Sequence, residues 1–253
     1  MLAAAWAAGP AADKNPVETQ TPHPLSLRTR DDARASLARA FEEAAVMPGT
    51  LLPHEILVEP RRVAARIVDE VVDRDAAPWL AVNGAGPALY LVEHSIHATA
   101  LGVAMGRSLV PLDLLDELGT GLFLQDIGKL ALPPSLVLNP GPLAPDEWDL
   151  MMRHPLLGLE FFRDDSIPAG ARAIVRSHHE RWDGSGYPEA LAGDEIPIFA
   201  RIAAVADVFY AVTSERYHAE PVTTAEGIEM IRSGSGSAFD PEVVEAFLDV
   251  AGR

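Results

Sequence analysis

The sequence contains no cysteine. That excludes disulfides, cysteine-ligated zinc and thiol catalysis, and it fits a reducing compartment without requiring one. Aromatic side chains are scarce at 6%, so alanine and the aliphatic residues must form the core, for which the 48% hydrophobic fraction suffices. Basic residues are few, with 20 Lys and Arg against 37 Asp and Glu, a net charge of −17. Such a chain has no diffuse basic surface for a nucleic acid polymer and no attraction to an anionic membrane. No apolar run approaches the ~20 residues that span a bilayer. The opening MLAAAWAAGPAADKN lacks the basic stretch of a secretion signal, so the expected location is cytoplasmic. There is no strand-like alternation of useful length and no internal repeat.

What the sequence does have is helical spacing. Residues 1–30 show none and read as a disordered or loosely attached tail. Asp31 to Val46 and Pro60 to Asp73 carry apolar residues three and four apart, and form an expected N-terminal helical region within 31–85. The segment DRDAAPWLAVNGAGP interrupts the pattern. Further helices are expected at Ala88–Leu109, Leu112–Gln125, Ala144–Phe162, Ala169–Glu180, Ile198–Glu215, Thr224–Ile231 and Pro241–Val250, giving a main domain over 88–253. The fold class is all-α.

A phosphate-bearing substrate of so acidic a chain needs a local cationic centre, and a bound metal ion supplies one. Five of the eight histidines, His94, His97, His154, His178 and His179, stand out in the main domain with Asp126, Lys129 and Asp207. Any one histidine alone reads as structural or merely exposed. The pair His178–His179 closes a helix just before a loop with two glycines, and adjacent helical imidazoles point about 100° apart, able to serve two metals or one metal and a substrate. Asp126 lies three residues before Lys129. In a helical segment the two share a face, where a carboxylate bridging cations beside an ammonium would cradle a phosphodiester. Taken alone, that pair reads as an ordinary surface ion pair.

The strings LFLQDIGKL, RHPLLG, SHHERWDGSGYPEALAGDEIP and ARIAAVADVFYAVTSER together resemble the HD-GYP family of the wider HD superfamily of metal-dependent phosphohydrolases, over roughly His94 to Arg216. The resemblance implies an HD-superfamily helical bundle, two divalent metal ions (iron or manganese), and hydrolysis of cyclic di-GMP. By position it implies His94, Asp126, His154, His178, His179 and Asp207 as metal ligands, and Asp126 and Lys129 as the catalytic pair. Lys129, Gly186, Tyr187 and Arg216 are implied at the substrate, and the loop Gly184–Pro188 also as a docking surface for a signalling partner.

The chain departs from the family at Gln125, where the defining histidine of the HD pair would stand. A neutral amide oxygen is a weaker ligand than imidazole for these metals. Tyr90 occupies the position of a glutamate found in members with a third metal, so no third metal is expected. Tyr210 and Tyr217-His218-Ala219 alter the substrate rim. His97, three residues after His94, is a possible substitute ligand. Three functions stay open at this point: a cyclic di-GMP phosphodiesterase of reduced activity, a degenerate module that binds cyclic di-GMP or a signalling partner, and a hydrolase of another nucleotide phosphoester.

Overall fold

Leucine, valine and alanine at helical spacing build the expected helices. In the computed structural model, the described residues (25–46, 51–73, 87–137, 139, 141–163, 166–214 and 221–252) form α-helices joined by short 3-10 turns, with no strand among them. The helices are α1 Leu27–Val46, α2 His54–Asp73, α3 Pro87–Leu109, α4 Leu115–Leu124, α5 Pro134–Val137, α6 Pro145–Met151, α7 His154–Glu160, α8 Ala169–Ser177, α9 Ile198–Thr213, α10 Thr224–Ser233 and α11 Pro241–Ala251. No helix among the described residues is long and apolar enough to cross a membrane.

Helices α3 and α4 pack together at the centre. Helix α9 lies along α3, α8 lies along α4, and α2 contacts both α3 and α4. Helices α10 and α11 pack on α9, and α11 also reaches α3. Buried apolar side chains form one continuous cluster from Leu37 on α1 to Phe247 on α11. The N-terminal helices therefore share a core with the rest. Their start is pinned: Glu70 on α2 accepts hydrogen bonds from Ser26 N, Ser26 Oγ and Thr29 Oγ1 at 2.6–2.8 Å. This draws α1 four residues ahead of its expected start at Asp31. Helix α2 likewise runs past Pro60 back to His54, because Leu52 and Leu57 are buried in the core.

Two expected helices are broken in ways that matter for the site. Ala144–Phe162 is not one helix. It splits into α6 and α7 around Met152–Arg153, just before Pro155, which cannot donate to the preceding turn. The break places His154 at the first turn of α7. Leu112–Gln125 is a 3-10 turn followed by α4, and the chain then tightens into a second 3-10 turn, Ile127–Ala131, with Asp126 at its cap. Residues three apart eclipse in that geometry, so Asp126 and Lys129 still face each other. Helix α8 ends at Ser177, and His178 is its C-cap rather than an interior residue.

Gly128 fixes where the 3-10 turn meets α7. A Cβ there would stand 1.9 Å from the His154 carbonyl oxygen and 2.5 Å from Gly158 N. Only a residue without a side chain lets these two backbones touch.

Candidate metal centre

The elements converge on a buried cluster. Asp126 comes from the cap of the 3-10 turn, His94 from α3, His154 from α7, His178 and His179 from the end of α8, and Asp207 from α9. Two groups of donor atoms each lie within 4.8 Å of one another: Asp126 with His154, His178 and His179, and Asp126 with His94 and Asp207. Asp126 belongs to both. Its Oδ1 faces His154 Nε2 at 3.4 Å and His178 Nε2 at 3.7 Å. Its Oδ2 faces His94 Nε2 at 3.5 Å and Lys129 Nζ at 2.8 Å. All six metal ligands implied by the sequence are thus brought together, with Lys129 beside them. Arg216, with Tyr217 and His218, lies outside the described residues.

The donor set fits metal ions, and the tautomers supply the test. His154 Nδ1 lies 2.9 Å from the Met151 carbonyl, and His178 Nδ1 lies 2.9 Å from the Ile174 carbonyl. Each Nδ1 must donate its hydrogen there, which leaves each Nε2 as a bare lone pair. Those two Nε2 atoms face each other at 3.2 Å, and both face the Asp126 carboxylate. Three lone pairs converging in a buried space repel until a cation stands among them. This is the usual arrangement in which a backbone carbonyl orients a metal-binding imidazole.

The second group shows the same conflict through Gln125, which is fully buried. Its Nε2 lies 3.1 Å from His94 Nε2 and 3.4 Å from Asp207 Oδ1, and its Oε1 has no hydrogen-bond partner. His94 Nε2 also lies 2.8 Å from Asp207 Oδ1, a contact that uses the one hydrogen Nε2 can carry. The Gln125 NH2 donates to Asp207 Oδ1 in a long bond of 3.4 Å, and its carbonyl oxygen is left buried without a partner. A cation among the three resolves this by accepting the amide oxygen. Gln125 thus lies against both His94 and Asp207 of the second donor group.

Electrostatics keep the ligands in binding form. Burial would push the Asp126 carboxyl up, but the Lys129 cation at 2.8 Å holds it well below the usual carboxylate range. Burial likewise opposes the ionised form of Asp207, and His94 and His179 outweigh it. His154 is held down to about 3 by burial and by the Lys129 cation, and burial and His178 lower His179. His97 is held down to about 4 by burial and by Arg30, His94 and Arg34.

Depressed folded-state values make the metal-free protein acid-sensitive. Unfolded imidazoles take up protons near pH 6.5, whereas folded His97 and His154 do so only near 4 and 3. Stability is then fully present above pH 7 and falls as pH drops below 6.5. Between pH 7.5 and 5.0 we expect a loss of about 2 kcal/mol from His97 alone. Urea denaturation of chelator-treated protein at the two pH values measures it, and equal stabilities would refute it.

His97 does not substitute for the missing imidazole. Its ring stacks on Tyr210, with centroids 5.0 Å apart, and lies 3.9 Å from Glu93, outside both donor groups. Tyr210 in turn packs edge-on to His94, and Tyr90 stacks over His94 from one turn before. Aromatic rings from Tyr90 and Tyr210 thus line the His94 side of the centre.

The Gly184–Pro188 loop folds back over the centre. Tyr187 N donates to the His179 carbonyl, and the Tyr187 ring stacks on His179 at 4.8 Å. Gly186 is demanded by close approach, since a Cβ would meet Arg181 N at 2.4 Å and His179 O at 2.6 Å. Burial and the charges of Asp207 and Asp126 raise the Tyr187 phenol, which therefore stays protonated and can donate.

Sequence reasoning missed three residues here. Glu180 is buried, and its carboxylate accepts from Glu189 N and Leu191 N, anchoring the loop. Its signal was present, an acid beside two histidines. Glu93, next to His94, receives Arg34 from α1 at 2.6 Å, a long-range pairing that no local pattern reveals. Trp148 on α6 meets Tyr187 edge-on at 6.4 Å.

A family model for the HD domain matches residues 95–243. The chain belongs to the HD domain family. Its HD-GYP motifs place it in that branch, with a glutamine in the HD pair. This HD domain is 43% identical over 133 residues to a probable cyclic di-GMP phosphodiesterase of Vibrio cholerae, covering 49% of this chain and 30% of that protein. It is 33% identical over 251 residues to a cyclic di-GMP phosphodiesterase of Pseudomonas aeruginosa, covering 97% of this chain and 58% of that one. The chain thus spans less than two thirds of the length of these relatives. The solved structure of an HDG"Y"P protein from Bdellovibrio bacteriovorus superposes on the whole HD-domain chain and on 77% of its own, with a TM-score of 0.71 at 17% identity, a likeness of fold. Divalent metal binding is a property of the HD phosphohydrolase family, and both donor groups lie in or at the edge of the matched segment.

Proposed function

We propose that this HD-GYP domain hydrolyses a phosphodiester bond of cyclic di-GMP. The observation that carries the reading is the Asp126 carboxylate, with one oxygen in each of two donor groups and Lys129 at 2.8 Å. His154, His178, His179 and Asp126 would hold one divalent cation, and His94, Asp207, Asp126 and Gln125 the other, with iron or manganese suited to such mixed nitrogen and oxygen donors. When bound, such ions polarise phosphoryl oxygens and lower the pKa of water in the site.

The chain's own groups do the rest. Lys129 pairs with a non-bridging phosphate oxygen and balances charge that grows there in the transition state. The Tyr187 hydroxyl donates a hydrogen bond to the substrate from the loop. The backbone bonds to Met151 and Ile174 keep His154 and His178 in the metal-binding tautomer throughout. Hydrolysis of one ester opens the ring to a linear dinucleotide with a terminal phosphate. Chromatography of that product from Mn²⁺- or Fe²⁺-loaded protein tests the proposal. Metal-loaded protein that yields none, while a panel of other nucleotides is cleaved, would move the assignment to another phosphoester.

Gln125 supports a second reading, a module that binds cyclic di-GMP or a signalling partner through Gly184–Pro188 without turnover. Binding without product under the same conditions would select it.

A further inference from the structure

We propose that Trp148 is a stacking platform for a base of the substrate. This rests on the reading of the site as one for a nucleotide phosphodiester. Among the described residues, Trp148 is the one aromatic side chain that counts as exposed, with about half of its surface, 48%, open to solvent. An indole left in water loses the burial that aromatic residues normally supply to a core. Here it is also held in place. Helix α6 begins with Pro145, the Ala144 backbone N–H donates to Glu147, and Trp148 N donates to the Ala144 carbonyl. The indole is presented on a capped turn one step from the site.

Its neighbour gives the direction. Tyr187 lies flat on His179, a member of the first donor group, and Trp148 stands at 79° to Tyr187. The two rings meet edge-on, and about half of the Trp148 side chain stays open to solvent. The order outward is therefore charged centre, Tyr187, then a half-exposed indole. A nucleotide has the matching order, with a phosphate at one end and a flat base one sugar away. Affinity from general charge is not available to a chain of net charge −17. Stacking, which does not depend on charge, supplies the missing attraction and selects a purine over a bare phosphate ester.

The test uses the full chain loaded with metal, as wild type, Trp148→Ala and Trp148→Phe. Displacement of a fluorescently labelled cyclic di-GMP by unlabelled cyclic di-GMP gives affinities, and indole emission is followed during titration with cyclic di-GMP and with inorganic phosphate. We expect emission of the wild type to fall with cyclic di-GMP and not with phosphate. Affinity should drop about tenfold in Trp148→Ala and stay within about threefold in Trp148→Phe, the range of base–aromatic stacking. Equal affinity in wild type and Trp148→Ala would overturn the platform while leaving the site's function standing. A wild type that binds phosphate but not cyclic di-GMP would overturn both.

Discussion

Replacing Asp126 by Asn is expected to lower cyclic di-GMP turnover by about a thousandfold and to strip metal from both donor groups. Changes around a metal site commonly cost about 10–100-fold in affinity or activity even when they touch only outer partners. Asp126 offers one oxygen to each group, so its loss acts on both at once. The amide keeps the shape but removes the charge that draws cations into a buried space. Metal-free protein should be little affected, because Lys129 is partly exposed and can turn its freed ammonium to water. The difference appears on adding metal. At a concentration 100 times the dissociation constant, binding stabilises the native state by about 2.7 kcal/mol. Thermal unfolding of the wild type should therefore shift upward with Mn²⁺, while Asp126→Asn should not move. Retention of wild-type metal content by the variant, measured by elemental analysis, would remove Asp126 from its central role.

Substituting His for Gln125 is expected to act in the opposite direction. The side chain is buried between His94 and Asp207, with an amide oxygen that has no partner. An imidazole there would supply the stronger nitrogen donor these metals favour. We expect metal affinity of the His94–Asp207 group to rise at least about tenfold. Protein purified anaerobically should go from one tightly held metal toward two, and turnover should rise with the second. If wild type already holds two metals at the same affinity as Gln125→His, the amide oxygen is a sufficient ligand. If the variant gains metal but no turnover, the second reading gains ground.

The fold class was legible in the sequence because it rests on local spacing, and the candidate ligands were implied by the resemblance of contiguous strings to the HD-GYP family. Helical periodicity is a property of neighbouring residues, and the GYP loop, the two adjacent histidines and the Asp126–Lys129 pair are contiguous strings. What escaped was set by distant contacts. Helix α1 starts at Leu27 because Glu70, some forty residues on, receives its first donors. The placement of His154 depends on a helix break at Met152–Arg153, which the periodic pattern of α6 and α7 conceals. His97 looked eligible as a ligand because i and i+3 share a face of a helix, but Tyr210 from α9 claims its ring. Gln125 was visible as an exception. That its amide stands between His94 and Asp207, with a buried oxygen left unpartnered, could be seen only with all three in place.

The contact at Gly128 bears on how such a site changes over time. The strand of chain holding the shared carboxylate and the one holding His154 meet backbone to backbone, with no side chain between them. Their separation is a fixed gauge, indifferent to how the surrounding core is refilled. The distance between these two donors is then set by main chain alone, whatever side chain stands at position 125.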